Sequence, residues 1–113
     1  MKRNIPLNIL PYPAAVDVKG RLALTITPEG CRPAEAGEPV IGYSNSYDVA
    51  RGQTVDVVTA GFIGVWSNSR LSPGQMVTLD TQGAVTATTD MTNAIGVAVD
   101  PSDANDIAVI IRL

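Results

Sequence analysis

Apolar and polar residues alternate in short runs along this chain, and no stretch repeats its apolar positions at the three-to-four spacing of a helix. Residues 21–27, RLALTIT, place Leu22, Leu24 and Ile26 on one face, the period of two expected of a half-buried strand, and Pro28 ends the run. The stretch PEGCRPAEAGEP (28–39) is rich in Pro, Gly and small residues and reads as an irregular loop. A short strand is expected around Pro39 to Tyr43, followed by SNSYDVARGQ (44–53), which suits a loop or a helical turn equally.

TVDVVTAGFIGVWS (54–67) is the longest strand-like run, and Gly61 and Gly64 within it mark bends or bulges. It is therefore either two strands or one strand that changes sheets. Pro73-Gly74 carries the signature of a type II turn, and Asp80-Thr81-Gln82-Gly83 that of a hairpin connection between strands at 75–80 and 84–89. AIGVAVDPSDANDIAVIIRL (94–113) reads as two strands around a polar turn, with the chain ending inside the sheet. Its alternation puts Ile95, Val97 and Val99 toward the core with Ile107, Val109 and Ile111, and leaves Ala94, Gly96 and Ala98 as a smooth opposite face. About seven short antiparallel strands make an all-β domain, a small β-sandwich or partly open β-barrel.

The first twenty residues differ. They hold three of the eight prolines, Pro6, Pro11 and Pro13, and each steers the residue before it to extended backbone. This is an extended N-terminal arm (1–20) ahead of a single β domain (21–113), with Ile5, Leu7, Ile9, Leu10 and Tyr12 giving it an apolar side. Fully extended it reaches about 65 Å. The arm either binds a partner or packs on its own body as an edge strand or strap.

With 113 residues the chain fits one domain, and with 45% hydrophobic residues but five aromatics its core is built mainly of Val, Ile, Leu and Ala. Charge is uneven. Lys2, Arg3, Lys19, Arg21 and Arg32 outnumber Asp17, Glu29 and Glu35 in the first third, whereas Arg51, Arg70 and Arg112 face eight acids beyond residue 37. An acidic body suits contact with protein better than with nucleic acid, which needs clustered cations. The N-terminus resembles a signal peptide only faintly, since Asn4, Pro6 and Asn8 interrupt its apolar run, and this segment is expected to be retained. No stretch approaches the roughly 18 apolar residues of a membrane span.

Chemistry is scarce. The chain has no histidine, which removes the commonest general base and metal ligand, and its single Cys31 has no partner for a disulfide or zinc site. Cys31 reads as a small semi-buried residue. Asp100, Asp103 and Asp106 do not match a calcium loop and read as a solvated turn, no serine sits in a G-x-S-x-G elbow, and Gly61 to Gly64 lacks the lysine of a phosphate loop. No cofactor, metal site or enzymatic activity is expected. Trp66 is either a core residue or an interface anchor.

Gly52-Gln53-Thr54-Val55-Asp56-Val57, then Ala60-Gly61-Phe62, then Pro73-Gly74-Gln75-Met76-Val77-Thr78-Leu79-Asp80-Thr81-Gln82-Gly83-Ala84-Val85, then Ala94-Ile95-Gly96-Val97-Ala98 and the ending Ala108-Val109-Ile110-Ile111-Arg112-Leu113 occur in an order that resembles the capsid decoration, or cement, proteins of tailed bacteriophages. The match spans about residues 50–113 and departs from the family pattern at Asp100 to Asp106, which lacks the expected glycine. The resemblance implies a structural virion protein assembled in the host cytoplasm. It would bind the outer face of an icosahedral head and clamp neighbouring major capsid protein subunits, often as a homotrimer at three-fold or quasi-three-fold positions. The competing reading is a β-rich tail, fibre or adhesin-type domain that binds a glycan or receptor through Trp66, Tyr43 and Tyr47.

Overall fold

The computed structural model describes residues 5–112, with side chains described from Ile9 onward, and among these residues all regular structure is strand. The elements are β1 (Ile5–Pro13), β2 (Ala23–Thr27), β3 (Gly30–Pro33), β4 (Gly42–Ser44), β5 (Thr54–Ser67), β6 (Met76–Leu79), β7 (Val85–Ala87), β8 (Gly96–Ala98) and β9 (Asp106–Arg112). Neighbours pair in the order β3-β2-β4-β5-β7-β6-β8-β9, with β1 added on β5 and with β5 also pairing β9. The return of β9 to β5 closes β5-β7-β6-β8-β9 into a five-stranded barrel. All pairings between these strands are antiparallel except the parallel contact of Ser67 with Val85.

The strand β5 belongs to both halves of the molecule. Its first part pairs β1 and β4, and its second part, Ile63 to Ser67, pairs β9. Val55 and Val57 enter one apolar cluster with Ala14, Val18, Leu24, Cys31 and Val49. Val58, Ile63 and Val65 enter the other, which fills the barrel with Leu71, Val77, Leu79, Val85, Ala98, Ala108 and Ile110. Val58 and Ile63 face the same core although they are five positions apart, an odd step that regular alternation would put on opposite faces, so the alternation must break between them. Gly61, at φ 98°, supplies the break. One strand that changes sheets is therefore the correct alternative of the two.

Other turn chemistry follows the sequence closely. Gly74 takes φ 88° at the third position of a turn closed by the Gln75 N–H on the Ser72 carbonyl at 3.0 Å. Gly83 takes φ 83° in the β6–β7 hairpin, where the Asp80 carboxylate accepts the N–H groups of Gln82 and Ala84. In the 99–105 connection, Asn105 at φ 60° occupies the left-handed position where a glycine was expected, as the short polar side chain of asparagine permits.

Three expectations need correction. The stretch 28–39 is not all loop: Gly30–Pro33 is a strand, paired Thr27 to Gly30 and Leu24 to Pro33 in a tight hairpin, and only the part after it is irregular, clamped by the Arg32–Glu38 ion pair. With β1 this gives nine strands rather than seven. Ile26 does not join Leu24 inside; it is exposed, because only the Ala23–Leu24 end of β2 lies between the two clusters. The faces of the last two strands are reversed only in part: Ile95 packs on the barrel core and Val109 is fully buried, as the alternation implies, while other positions change sides. Gly96, Ala98, Ala108 and Ile110 point into the barrel while Ile111 is 44% exposed and Val97 and Ile107 are half-buried outside. Ile110 lies opposite Ala98 on the inner face, where it packs with Ile63, Leu71 and Leu79.

β1 lies along β5 from Ile5 opposite Phe62 to Pro13 opposite Thr54, with irregular register around Asn8. Ala14 exchanges backbone hydrogen bonds with Gln53 and Gly52. By alternation Tyr12 and Leu10 also aim their backbone groups at β5, while Pro11 and Pro13 fall on the positions turned away from it, where the missing N–H removes no ladder bond. Beyond the strand, Ala14 and Val18 are buried in the second cluster, Ala15 donates to the Cys31 carbonyl, and Val18 exchanges bonds with Val49.

Arg112 ties the two halves together, its guanidinium donating to the carbonyls of Val40, Ile41 and Thr59. Beneath it Tyr43 is 1% exposed, and burial pushes its phenol up to about 12, against an ordinary value near 10. Above pH 10 the unfolded chain gains from ionising this group and the folded chain does not, so stability falls as pH rises from about 10 to about 12. The loss attributable to Tyr43 is expected to be about 2–3 kcal/mol. Urea unfolding at pH 9 and pH 12 measures it, and Tyr43→Phe should flatten the dependence by that amount.

Candidate functional site

Among the described residues no group of His, Cys, Asp and Glu side chains is placed to hold a metal ion. Cys31 is fully buried against Ala14 and its thiol is pushed up by burial, which makes it a packing residue. Asp103 stands in a loose, exposed pair with Arg70 at 4.0 Å, and Asp106 caps its neighbour's N–H. A polar cleft of about 610 Å³ opens between the 36–38 loop and the 88–95 loop, lined by Glu38, Thr78, Thr88, Asp90, Asn93 and Ile95. Its carboxylates are already engaged. Glu38 is held low by Arg32, and Asp90 is held low by hydrogen bonds from Asn93 and Thr92, so neither is poised to accept a proton.

What the surface offers is apolar side chains on strands. In the arm, Ile9 is 42% and Leu10 40% exposed, on opposite sides of β1, while Tyr12 is half-buried and packs on the second cluster. Ile5 lies opposite Phe62 in the backbone register, but the side chains of Ile5 and Leu7 fall outside the described residues. Of the five arm residues singled out by the sequence, the structure thus shows two presented to solvent and one turned inward.

Trp66 is 41% exposed on the outer face of the barrel, opposite Ile107 on β9. It is not a core residue. The three aromatics of the glycan reading are not brought together on the surface, since Tyr43 is interior while Tyr47, bonded through its hydroxyl to Asp56, stands on a separate loop. Sequence reasoning missed Ile26, Val16 and Ile111 as exposed apolar residues, because alternation identifies two faces without saying which one is wet.

No curated protein sequence matches the chain. A solved structure does: the N base of the head fiber gp8.5 of bacteriophage phi29 superposes with a TM-score of 0.79, covering 94% of this chain and 93% of that one at 17% identity. At that identity the likeness is one of fold, and it spans both the barrel and the layer built by β1 to β4. Family membership rests on the sequence instead. Residues 10–113, from the exposed half of β1 through the last barrel strand, match the phage cement protein family, and the chain belongs to it.

Proposed function

We propose that the protein binds the outer surface of an assembled icosahedral phage head and clamps neighbouring major capsid protein subunits, with the N-terminal arm as the clamp. Membership of the cement family is the observation that carries this reading. The fold shared with the base of a head fiber supports it, as does an arm that presents Ile9 and Leu10 to solvent on an outer strand. A clamp of this kind adds its binding free energy only to the assembled state, so it stabilises the shell by mass action, and many modest contacts around one shell sum to a large effect.

Within the arm of residues 1–20 the two halves have different work. Residues 14–18 are anchored in the second cluster, whereas the part upstream of Ile9, paired in the free chain with Ala60 to Phe62 of its own β5, exchanges that pairing for main-chain and side-chain contacts across a subunit boundary. Three copies grouped at a three-fold position on the virion exterior is the arrangement we propose.

Co-sedimentation with expanded, undecorated heads tests this. The full chain is expected to pellet with heads and to leave free capsid subunits in solution, and removal of residues 1–8 is expected to abolish pelleting while the domain stays folded. Equal binding to free subunits, or full binding by the truncated chain, would overturn the clamp.

A further inference from the structure

We infer that Arg21, Gly64 and Trp66 form a built docking surface for a carboxylate displayed by the partner protein, separate from the arm. Three oddities meet there. Arg21 has φ 62°, in the left-handed region, where a side chain is strained and where glycine or asparagine is the usual occupant. Its backbone is pinned in that state: the N–H donates to the carbonyls of Ser44 at 3.1 Å and Asn45 at 3.0 Å, and its own carbonyl accepts the Trp66 N–H at 2.9 Å.

The second oddity is Gly64, a glycine inside the longest strand and away from any positive φ. A Cβ there would overlap Nη1 of Arg21 and come within 3.4 Å of Ile107 Cγ2. The missing side chain is thus the space that the end of the Arg21 guanidinium occupies. The third is Trp66, two residues further along β5 and on the same face, exposed beside its cross-strand partner Ile107. Ile111, exposed further along β9, extends the same outer face.

The ion pairs among the described residues are Arg32–Glu38 and Arg70–Asp103, and Arg21 is in neither. The chain therefore accepts backbone strain and forgoes a side chain on a central strand, and holds one cation next to a tryptophan and an isoleucine with no ion pair to a carboxylate among the described residues. Trp and Arg dominate binding hot spots because they combine a large apolar area with a directional charge. The local charge of Arg21 is complementary to an acid that the partner brings, a pairing that at a partly dehydrated contact gains more than in open water. Resting on the head-binding reading above, the occupant is a surface carboxylate of the capsid protein, seated against the Trp66–Ile107 face.

The test compares the full chain with Arg21→Gly, Gly64→Ala and Trp66→Ala in co-sedimentation with undecorated heads at low and high salt. Melting temperatures and the sedimentation state of each free protein are measured alongside. Arg21→Gly relieves the strained backbone, so it is expected to melt at the same temperature or higher and yet to bind about tenfold or more weakly, with a shallower salt dependence. Gly64→Ala, which displaces only the end of a flexible side chain, and Trp66→Ala should weaken binding in parallel. Undiminished binding by Arg21→Gly overturns the proposal while leaving the head-binding function intact. A change in its self-association with head binding unaltered also overturns it, by assigning the surface to contacts between copies. Failure of the unaltered full chain to sediment with heads overturns the head-binding reading, and this proposal with it.

Discussion

Removing residues 1–20 is expected to unfold the protein, whereas removing residues 1–8 leaves it folded. The longer deletion takes away the whole of β1, which covers β5 from Thr54 to Phe62, and with it Ala14 and Val18, both buried in the second cluster. Burying a valine contributes about 1.5–3 kcal/mol and each backbone hydrogen bond about 1 kcal/mol net. The bonds lost include those of Ala14 with Gln53 and Gly52, of Ala15 with Cys31 and of Val18 with Val49, together with the Gly20 N–H bond to Asp48. Val55, Val57, Leu24 and Cys31 would then lose their cover. The sum exceeds about 5 kcal/mol, comparable with the entire stability of a domain this size. Urea unfolding followed by near-ultraviolet circular dichroism distinguishes the two truncations: a cooperative transition is expected for the chain lacking 1–8 and none for the chain lacking 1–20. A cooperative transition in both would show that the barrel folds without the second cluster.

The second large effect is expected at Gly30, where β3 passes beneath the end of β1. Gly30 has φ 137°, and a Cβ on it would overlap the carbonyl oxygen of Pro13, with the Pro13 carbonyl carbon at 3.0 Å and the Ala15 nitrogen at 3.2 Å. Every one of these neighbours is backbone, so none can rotate aside. Gly30→Ala is expected to cost about 3 kcal/mol or more, from strained backbone and overpacking together. Gly52→Ala is the control, since Gly52 has φ 85° but nothing within 4 Å of its Cβ position, and a left-handed alanine there costs about 1–2 kcal/mol. Equal losses in the two variants, read from denaturation midpoints, would show that the close approach at Pro13 contributes nothing.

Features governed by local chemistry were legible in the sequence. The glycines at 61, 74 and 83 and the proline at 73 each marked a backbone event that occurs, because their φ preferences act regardless of what surrounds them. The family was legible for a related reason: the order of its strands and turns is fixed by these same residues. Features governed by packing were not. Gly30 and Pro33 read as loop punctuation, yet Gly30 is needed for a close crossing of strands and Pro33 ends an outer strand. For β8 and β9, alternation separates two faces without saying which one meets the barrel core, so Ala98, Ala108 and Ile110 were not recognised as its lining. Arg21 gave no signal at all. A left-handed arginine is dictated by the carbonyls of Ser44 and Asn45 and the N–H of Trp66, residues distant in sequence. For the candidate contacts, the apolar side of the arm was visible, but which of its residues face solvent was decided by β5.

Pro11 and Pro13 bear on how the protein behaves before it meets any partner. The outer side of β1 is the kind of margin along which separate molecules line up and grow into aggregates. At Pro13 that side is already occupied by β3, and at Pro11 the absent donor is an outward one, so two copies laid edge against edge would find a rung missing there. A margin broken in this way stays unzipped, and the free protein keeps its strand edge for the contact it is meant to make.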